Sequence, residues 1–251
     1  MKKKTAIVLA VLVGLLLAPA AGAAGDQPQL EHVNINLHNR PALQRGARDF
    51  ANYCLSCHQA KYMRYKQLEP GLGLTDKQIE DNLIFTGAKI WDPMTVAMTR
   101  KDAANWFGKA PPDLSDEVRI RGADWVYTYI KSFYLDPSQK TGVNNAVFPK
   151  VAMPDVFWHL QGLQKPVYKT VTDSDGTKEK VIDHLKLVKK GSLTPKQFDR
   201  FDRDLVTFLT YVSRPEKMES ARLGAWVIGF LIFFAALAWL LKREYWKSID
   251  H

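Results

Sequence analysis

Apolar residues recur three and four positions apart in several stretches of the chain, which is the spacing of one face of an α-helix. This spacing predicts a helix that starts near Pro41 and ends at Cys54, since proline favours the first turn. Thr75 and Gln78 form a capping-box sequence that begins a second helix, which Gly87 ends. Further helices are predicted over Asp102–Phe107, over Asp116–Tyr134 and from Thr194 onward. The pattern therefore predicts a mainly α-helical fold.

One stretch has the pattern of β-strands instead. Pro166–Val188 contains two runs rich in strand-forming residues, separated by the turn sequence Asp173–Gly176. These runs predict a β-hairpin over about 166–188, inserted between helices of one domain. The sequence contains no repeat and no low-complexity segment, so we expect a mainly α-helical domain with this small insertion.

The two ends of the chain have the patterns of targeting and anchoring segments. Residues 1–24 combine a basic start, an apolar middle and small residues, as in a secretory signal peptide; a retained anchor is the alternative. Leu223–Leu241 is a run of 19 residues without a charge. As a helix it would span about 28 Å, close to the roughly 30 Å of a bilayer core. A buried core helix is the alternative, but a helix of a soluble protein has no reason to be apolar on all sides.

The two ends also set the expected topology. Lys242, Arg243 and Lys247 follow the apolar run, and basic residues that flank a membrane helix favour the cytoplasmic side. The chain is thus expected to cross a bacterial inner membrane once. The expected boundaries are a signal peptide over 1–24, a periplasmic domain over 25–221, a transmembrane anchor over 222–242 and a cytoplasmic tail over 243–251.

The overall charge does not indicate a nucleic-acid partner. The formal net charge is +9, from 35 lysine and arginine residues and 26 aspartate and glutamate residues. Between Ala24 and Ala221, however, there are 28 basic and 24 acidic residues, and the two kinds are interspersed. Nucleic-acid binding needs a concentrated basic surface, which this distribution does not supply.

The sequence Cys54-Leu55-Ser56-Cys57-His58 carries the clearest chemistry. It has the C-x-x-C-H pattern of covalent c-type haem attachment. Each thiol can form a thioether to one vinyl group of the porphyrin, and the histidine can then bind the iron. The chain has no other cysteines, so the alternative is a local disulfide or the redox pair of a thiol–disulfide oxidoreductase. We find no nucleophile and no paired carboxylates that indicate catalysis of another kind.

A six-coordinate haem needs a second axial ligand, and methionine gives a higher reduction potential than a second histidine. Met94 and Met153 both lie beside a proline in irregular chain, where a braced loop can hold a thioether in place. Met63 is too close to His58 to reach the other face of the ring. Spacing alone leaves both Met94 and Met153 open.

Several motifs occur in a fixed order along the chain: the haem-attachment sequence followed by Tyr62–Leu68, then Ala110–Ser115 (APPDLS), Arg119–Gly122 with Asp124-Trp125, Asn144–Pro154 (NNAVFPKVAMP) and the single C-terminal anchor. With these motifs the chain resembles the cytochrome c1 family, the haem subunits of the bacterial and related cytochrome bc1 complexes (ubiquinol–cytochrome c oxidoreductases). The resemblance covers nearly all of the chain after residue 24. The motifs are specific together, although none is specific alone.

The resemblance implies roles for individual residues. Met153 matches the family's axial methionine and replaces Met94 as the expected ligand. Arg121 matches an arginine that pairs with a haem propionate, and Trp125 stands where relatives often carry a propionate-bonding tyrosine. The loop with Pro111-Pro112 matches the one that packs on the haem and accepts the axial imidazole N–H. The expected site, holding one haem c, is therefore Cys54, Cys57, His58, Pro111, Pro112, Arg121, Trp125 and Met153.

The resemblance also implies a function in electron transfer. The chain is expected to be a non-catalytic electron carrier within an enzyme complex, beside a cytochrome b subunit in the lipid bilayer. It would take electrons from a Rieske iron–sulfur protein and pass them to a soluble or membrane-tethered c-type cytochrome. The near-neutral domain favours an acceptor that is itself neutral or acidic. The alternative is a membrane-anchored cytochrome that feeds a terminal oxidase.

Overall fold

The computed structural model describes residues 29–172 and 176–247. Its helices are α1 (Arg40–Asp49), α2 (Leu68–Leu72), α3 (Asp76–Leu83), α4 (Arg100–Phe107), α5 (Glu117–Arg121), α6 (Ala123–Lys131), α7 (Trp158–Gln161), α8 (Pro195–Ser213) and α9 (Lys217–Tyr245). Its strands are β1 (Ala60–Arg64), β2 (Pro93–Met94), β3 (Phe133–Leu135), β4 (Val143–Asn145), β5 (Gly162–Thr172) and β6 (Lys178–Lys190). They pair in sequence order as three antiparallel two-stranded sheets. The predicted mainly α-helical fold is confirmed, and the predicted signal peptide lies outside the described residues.

Helix α1 packs across α8 at the centre of the domain. The side chain of Asn39 caps α1 by accepting from the amide of Ala42. The two helices approach closely at Gly46, where an added Cβ would lie 2.1 Å from the carbonyl oxygen of Asp204. One turn further along, the rings of Phe50 and Phe208 pack with centroids 5.5 Å apart. The core is therefore built around the helix that carries the haem-attachment sequence.

Two of the predicted helices are confirmed, with corrected ends. The capping box of Thr75 and Gln78 begins α3, but the helix ends at Leu83 rather than at Gly87, because Ile84 has extended backbone. Helix α4 begins two residues before the predicted Asp102. Its first turn is set by Thr99, whose hydroxyl accepts from the amide of Asp102 at 3.1 Å.

The prediction of a single helix over Asp116–Tyr134 is wrong. Gly122 has a φ of 92°, which a helix does not allow, and it divides the segment into α5 and α6. The last predicted turn forms β3 instead, which pairs with β4. Three aromatic residues of this segment still pack together: the rings of Trp125 and Tyr129 stack at 5.0 Å, and Phe133 meets Tyr129 edge-on at 5.2 Å.

The predicted hairpin is confirmed and is longer than expected. Strands β5 and β6 pair from Gly162 and Lys190 outward to Thr172 and Lys178, with two irregularities in register. Its base is fixed to the domain by Gln164, whose amide donates to the carbonyls that end α6 and begin β3, at 2.8 and 3.0 Å. The outer half is mostly exposed. The predicted turn at 173–175 lies outside the described residues.

The chain leaves the domain through α8 and α9. Thr194 and Gln197 form the capping box that begins α8, as the sequence predicts. A short turn at 214–216 then leads into α9. Its segment Leu223–Tyr245, of 23 residues, is long and apolar enough to cross a membrane, and none of it is buried against the described part of the chain. This is the structure expected of a single membrane anchor.

Candidate haem site

The haem-attachment sequence forms a compact turn at the end of α1. After Asp49 the helix widens into a π-helical turn over Phe50–Cys54, in which the amide of Leu55 donates to the carbonyl of Phe50 at 3.0 Å. The amides of Cys57 and His58 then both donate to the carbonyl of Cys54, at 3.0 and 2.7 Å. The turn thus brings the two thiols and the imidazole to the same side of the helix end.

The two thiols are free and half-buried. Burial raises the pKa of the Cys54 thiol to about 12, and the nearby groups of Asp49 and Cys57 act in the same direction. Reactive cysteines of thiol–disulfide oxidoreductases instead have a lowered pKa, because the thiolate is the nucleophile. The environment of Cys54 therefore argues against the redox-pair alternative.

The imidazole of His58 is fixed by the loop that follows α4. Its Nδ1 lies 2.8 Å from the carbonyl oxygen of Pro112, so an N–H at this atom donates and Nε2 is left for a ligand. The same loop is tied to the turn by the amide of Leu114, which donates to the carbonyl of Gln59 at 2.8 Å. Burial lowers the pKa of His58, although the bond to Pro112 opposes this effect. The half-buried ring is thus favoured in its neutral form, the form that binds a metal.

Met153 approaches from the segment after β4. Its sulfur accepts a hydrogen bond from the hydroxyl of Tyr129 on α6, with the oxygen and sulfur 3.4 Å apart. Burial raises the pKa of Tyr129, so the hydroxyl keeps the proton that it donates. Met94, the other candidate from spacing, lies elsewhere. It is buried in the main core, where it pairs with Ala60 of β1.

The segment before Met153 is held by Asn145, which is completely buried. Its side-chain oxygen accepts from the amides of Val147 and Phe148, at 2.9 and 3.0 Å. Its side-chain nitrogen donates to the carbonyl of Tyr129 at 2.7 Å. This amide therefore links the methionine segment to α6.

These segments enclose one cleft of about 200 Å³ that opens to the surface. Its lining includes Cys54, Cys57, His58, Pro111 and Met153. The remaining walls are mostly apolar and aromatic, with Tyr53, Phe107, Tyr129, Phe148, Val151 and Val156. Two thiols, an imidazole with a free nitrogen and a thioether facing one apolar cleft are the donor set that a c-type haem requires.

The structure places Arg121 and Trp125 beside this cleft, outside the residues that line it. The Arg121 guanidinium lies 4.2 Å from the Trp125 ring centroid and 5.5 Å from that of Phe148, and it is paired with Glu117. Trp125 in turn stacks on Tyr129. Both predicted propionate partners thus pack behind two residues of the cleft wall, and they also line a groove next to the N-terminal arm.

Comparison with known proteins decides the family. The profile of the Cytochrome C1 family matches residues 87–249, which include the Met153 segment and the anchor. A protein named "Cytochrome c1" from Allochromatium vinosum is 48% identical over 236 residues, 94% of this chain and 96% of its own. The chain belongs to the cytochrome c1 family. Its resemblance to that family, based on motifs, is therefore confirmed.

Two further relatives of this cytochrome c1 family member carry other names. A Nitrosomonas europaea protein named "Ammonia monooxygenase gamma subunit" is 41% identical over 240 residues, 95% of this chain and 97% of its own. A "Cytochrome b/c1" from Bradyrhizobium diazoefficiens is 27% identical over 242 residues, 84% of this chain but 34% of its own. The first of these names refers to a different enzyme, and the second joins cytochrome b and cytochrome c1.

Sequence reasoning missed the roles of Tyr129 and Asn145. The sequence places Tyr129 only within the helix predicted over Asp116–Tyr134, and Asn145 only within the NNAVFPKVAMP motif. The available signal for Asn145 was a pair of asparagines directly before the apolar run Ala146–Pro149. The hydroxyl contact of Tyr129 with Met153 joins positions 24 apart in sequence and is not readable from spacing.

Proposed function

We propose that the chain is the haem-carrying electron-transfer subunit of a bacterial cytochrome bc1 complex. In this proposal Cys54 and Cys57 hold one haem c through thioether bonds, and His58 and Met153 are its axial ligands. The observation that carries the proposal is that these four side chains, from two distant segments, line one apolar cleft. Membership of the cytochrome c1 family supports the same cofactor.

Each of these residues has a defined task. When bound, the haem supplies one-electron chemistry, while the protein supplies ligands, orientation and burial. The Pro112 carbonyl fixes the ring of His58 and leaves its Nε2 for the iron. Met153 supplies a thioether, and histidine–methionine ligation gives a high reduction potential. The apolar walls exclude water, which disfavours the more highly charged oxidised state. Arg121 and Trp125 are proposed to bind a propionate at the edge of the cleft.

The proposed partners follow from the family. The relative named "Cytochrome b/c1" supports a cytochrome b subunit as the neighbour in the membrane. A Rieske iron–sulfur protein is the proposed electron donor, and a soluble or tethered c-type cytochrome the acceptor. With 28 basic and 24 acidic residues between Ala24 and Ala221, the domain offers little long-range attraction to a charged acceptor. We therefore expect turnover to depend only modestly on ionic strength.

The proposed topology places the haem domain in the periplasm and the C-terminus in the cytoplasm. It includes a cleaved signal peptide over 1–24, a domain over 25–221, an anchor over 222–242 and a tail over 243–251. Basic residues at the end of α9, Lys242 and Arg243, support this orientation. Protease added to spheroplasts should digest the haem domain and leave the C-terminal tail protected. Protection of the haem domain would contradict this orientation.

The test of the haem site is Met153→Leu in the intact complex. Loss of the thioether should lower the midpoint potential by on the order of 0.1 V or more, within the roughly 0.8 V over which axial ligands act. Quinol-to-cytochrome turnover should stop. Met94→Leu is the matched control, because the same change is made in the main core, outside the cleft. Redox titration measures both variants, and an unchanged potential in Met153→Leu would refute the ligand assignment.

Co-purification separates the bc1 proposal from its alternative. A cytochrome b subunit and a Rieske protein should co-elute with this chain from solubilised membranes. Co-elution with a terminal oxidase alone would favour an anchored cytochrome that feeds that oxidase. Co-elution with an ammonia monooxygenase, the enzyme in the name of the Nitrosomonas europaea relative, would likewise contradict the proposal.

A further inference from the structure

The hydroxyl of Tyr129 contacts the sulfur of Met153, and the proposed function assigns this contact no task. The oxygen lies 3.4 Å from the sulfur, within hydrogen-bond range for this larger acceptor. A thioether sulfur has two lone pairs, so one can accept this bond while the other faces a metal. We propose that Tyr129 raises the reduction potential of the haem by donating a hydrogen bond to its methionine ligand. The inference rests on the proposed function.

The position of the hydroxyl is fixed from three sides. The Tyr129 ring stacks on Trp125 at 5.0 Å with planes 10° apart, and Phe133 meets it edge-on at 5.2 Å. Behind it, the carbonyl of Tyr129 accepts from the buried side chain of Asn145 at 2.7 Å. Ring and backbone are therefore both held. These contacts keep the hydroxyl oxygen beside the sulfur of Met153.

The direction of the effect follows from the orientation of the O–H group. Its positive end faces the sulfur, and thus the iron that the sulfur would bind. A hydrogen bond also withdraws electron density from the thioether. Both effects disfavour the oxidised iron, which carries one more positive charge than the reduced iron. Replacing the hydroxyl with hydrogen also makes the cleft wall more apolar, which by itself would raise the potential. The hydrogen bond acts on the ligand directly, so its loss has the larger effect on the potential.

Tyr129→Phe is the direct test, since it removes the hydroxyl and keeps both ring contacts. We expect the ratio of reduced to oxidised protein at a fixed ambient potential to fall three- to tenfold. For a one-electron couple this equals a fall of about 30–60 mV in midpoint potential, at 59 mV per factor of ten. Optical redox titration of the haem in the intact complex measures this shift.

Tyr127→Phe is the matched control. Tyr127 is buried on the same helix, but its hydroxyl contacts Asp199 at 3.2 Å and Lys131 at 3.3 Å, away from the cleft. The Tyr127→Phe variant should therefore keep the wild-type midpoint potential. A fall of less than threefold or a rise in Tyr129→Phe overturns the inference, as does an equal fall in Tyr127→Phe.

A measurement on the wild-type protein avoids dependence on any variant. Redox-induced infrared difference spectra, with and without ring-deuterated tyrosine, should contain a tyrosine band, because the hydrogen bond changes strength when the iron changes charge. Absence of a tyrosine band overturns the inference.

Met153→Leu distinguishes failure of the proposed function from failure of the role of Tyr129. If it leaves the potential unchanged, the ligand assignment fails; if it lowers the potential while Tyr129→Phe does not, only the role of Tyr129 fails.

Discussion

Single side chains in this protein connect segments that the sequence keeps apart. The clearest case is Asn145, which has no exposed surface and satisfies three backbone groups. Through these bonds the segment that carries Met153 is attached to α6. The geometry of the proposed ligand therefore depends on an amide that does not line the cleft.

Asn145→Ala should therefore loosen the methionine segment. The amides of Val147 and Phe148 would lose their acceptor, and a buried unsatisfied donor costs about 1–3 kcal/mol. We expect a loss of about 2–4 kcal/mol in unfolding free energy, with loss of methionine ligation before global unfolding. Haem absorbance followed during denaturant titration measures both. Asn82→Ala is the control, because Asn82 is exposed and makes one bond within α3; an equal loss there would contradict this role.

Among the elements, the contact of α1 with α8 positions the haem-attachment sequence. Gly46 allows the two helices to approach until only hydrogen fits between them, and Arg45 adds an ion pair to Asp204 at 2.6 Å. The end of α1 is thus fixed relative to the core one turn before Phe50. Because the cysteines follow directly, the packing of this helix pair determines where they lie.

Gly46→Ala should therefore be destabilising although alanine is the better helix former. Its Cβ would lie 2.1 Å from a backbone oxygen of α8, which cannot move without shifting the helix. Overpacking costs about 1–3 kcal/mol, and a contact this short with backbone belongs at the upper end of that range, above the roughly 1 kcal/mol gained in helix propensity. Thermal unfolding in detergent measures the difference. Gly229→Ala in α9 is the matched control, since no atom of the described chain lies within 4 Å of its added Cβ. A Tm for Gly46→Ala at or above the wild-type value would disprove the close contact.

The same elements show which parts of the structure a sequence can predict. The helix starts at Thr75 and Thr194 were predictable because the bonds that cap them span three residues. The break at Gly122 was missed because the apolar spacing continues across it. The pairing of β3 with β4 depends on partners 8 to 12 residues further along the chain. Hydrogen bonds between near neighbours can thus be predicted from sequence. Pairing between distant segments cannot, and it can replace the helix that apolar spacing predicts.

The features of the candidate site also differ in how far the sequence predicts them. The C-x-x-C-H sequence is local and points directly to haem. Met153 was separable from Met94 only through the resemblance to a family, because both lie beside a proline. The contact of Tyr129 with Met153 depends on the packing of α6 against a loop and needed the structure.

For the whole molecule, stability should depend on pH through buried carboxyl groups. Asp202 has no exposed surface, and within the described chain its oxygens have no hydrogen-bond partner. Burial raises the pKa of Asp202 well above its usual value, although Lys131 opposes this. The folded state then binds this proton more tightly than the unfolded state does. The contribution of Asp202 to stability is therefore fully present below the unfolded pKa near 3.9 and is lost as the pH rises through the folded pKa.

Asp202→Asn should remove this dependence, because the amide resembles the protonated acid and does not ionise. We expect a higher Tm than wild type at pH 8, by several degrees, and an equal Tm at pH 4. Asp183→Asn on the exposed hairpin is the control. The pKa of Asp183 is lowered by His184 and Lys169, so this change should not raise the Tm at pH 8. If Asp202→Asn has the same Tm as the wild type at pH 8, ionisation of Asp202 does not destabilise the folded state.

The π-helical turn over Phe50–Cys54 fixes the length of the chain between the core and the haem-attachment sequence. Each residue of an α-helix turns the chain by about 100°, so the extra residue in this wide turn sets the angle at which the thiols leave α1. Gly46 is held against α8, so deleting one residue between Gly46 and Cys54 would rotate His58 away from the Pro112 carbonyl. Substitutions are therefore easier to accommodate in this interval than insertions or deletions, and related chains should vary there in composition but keep the same number of residues.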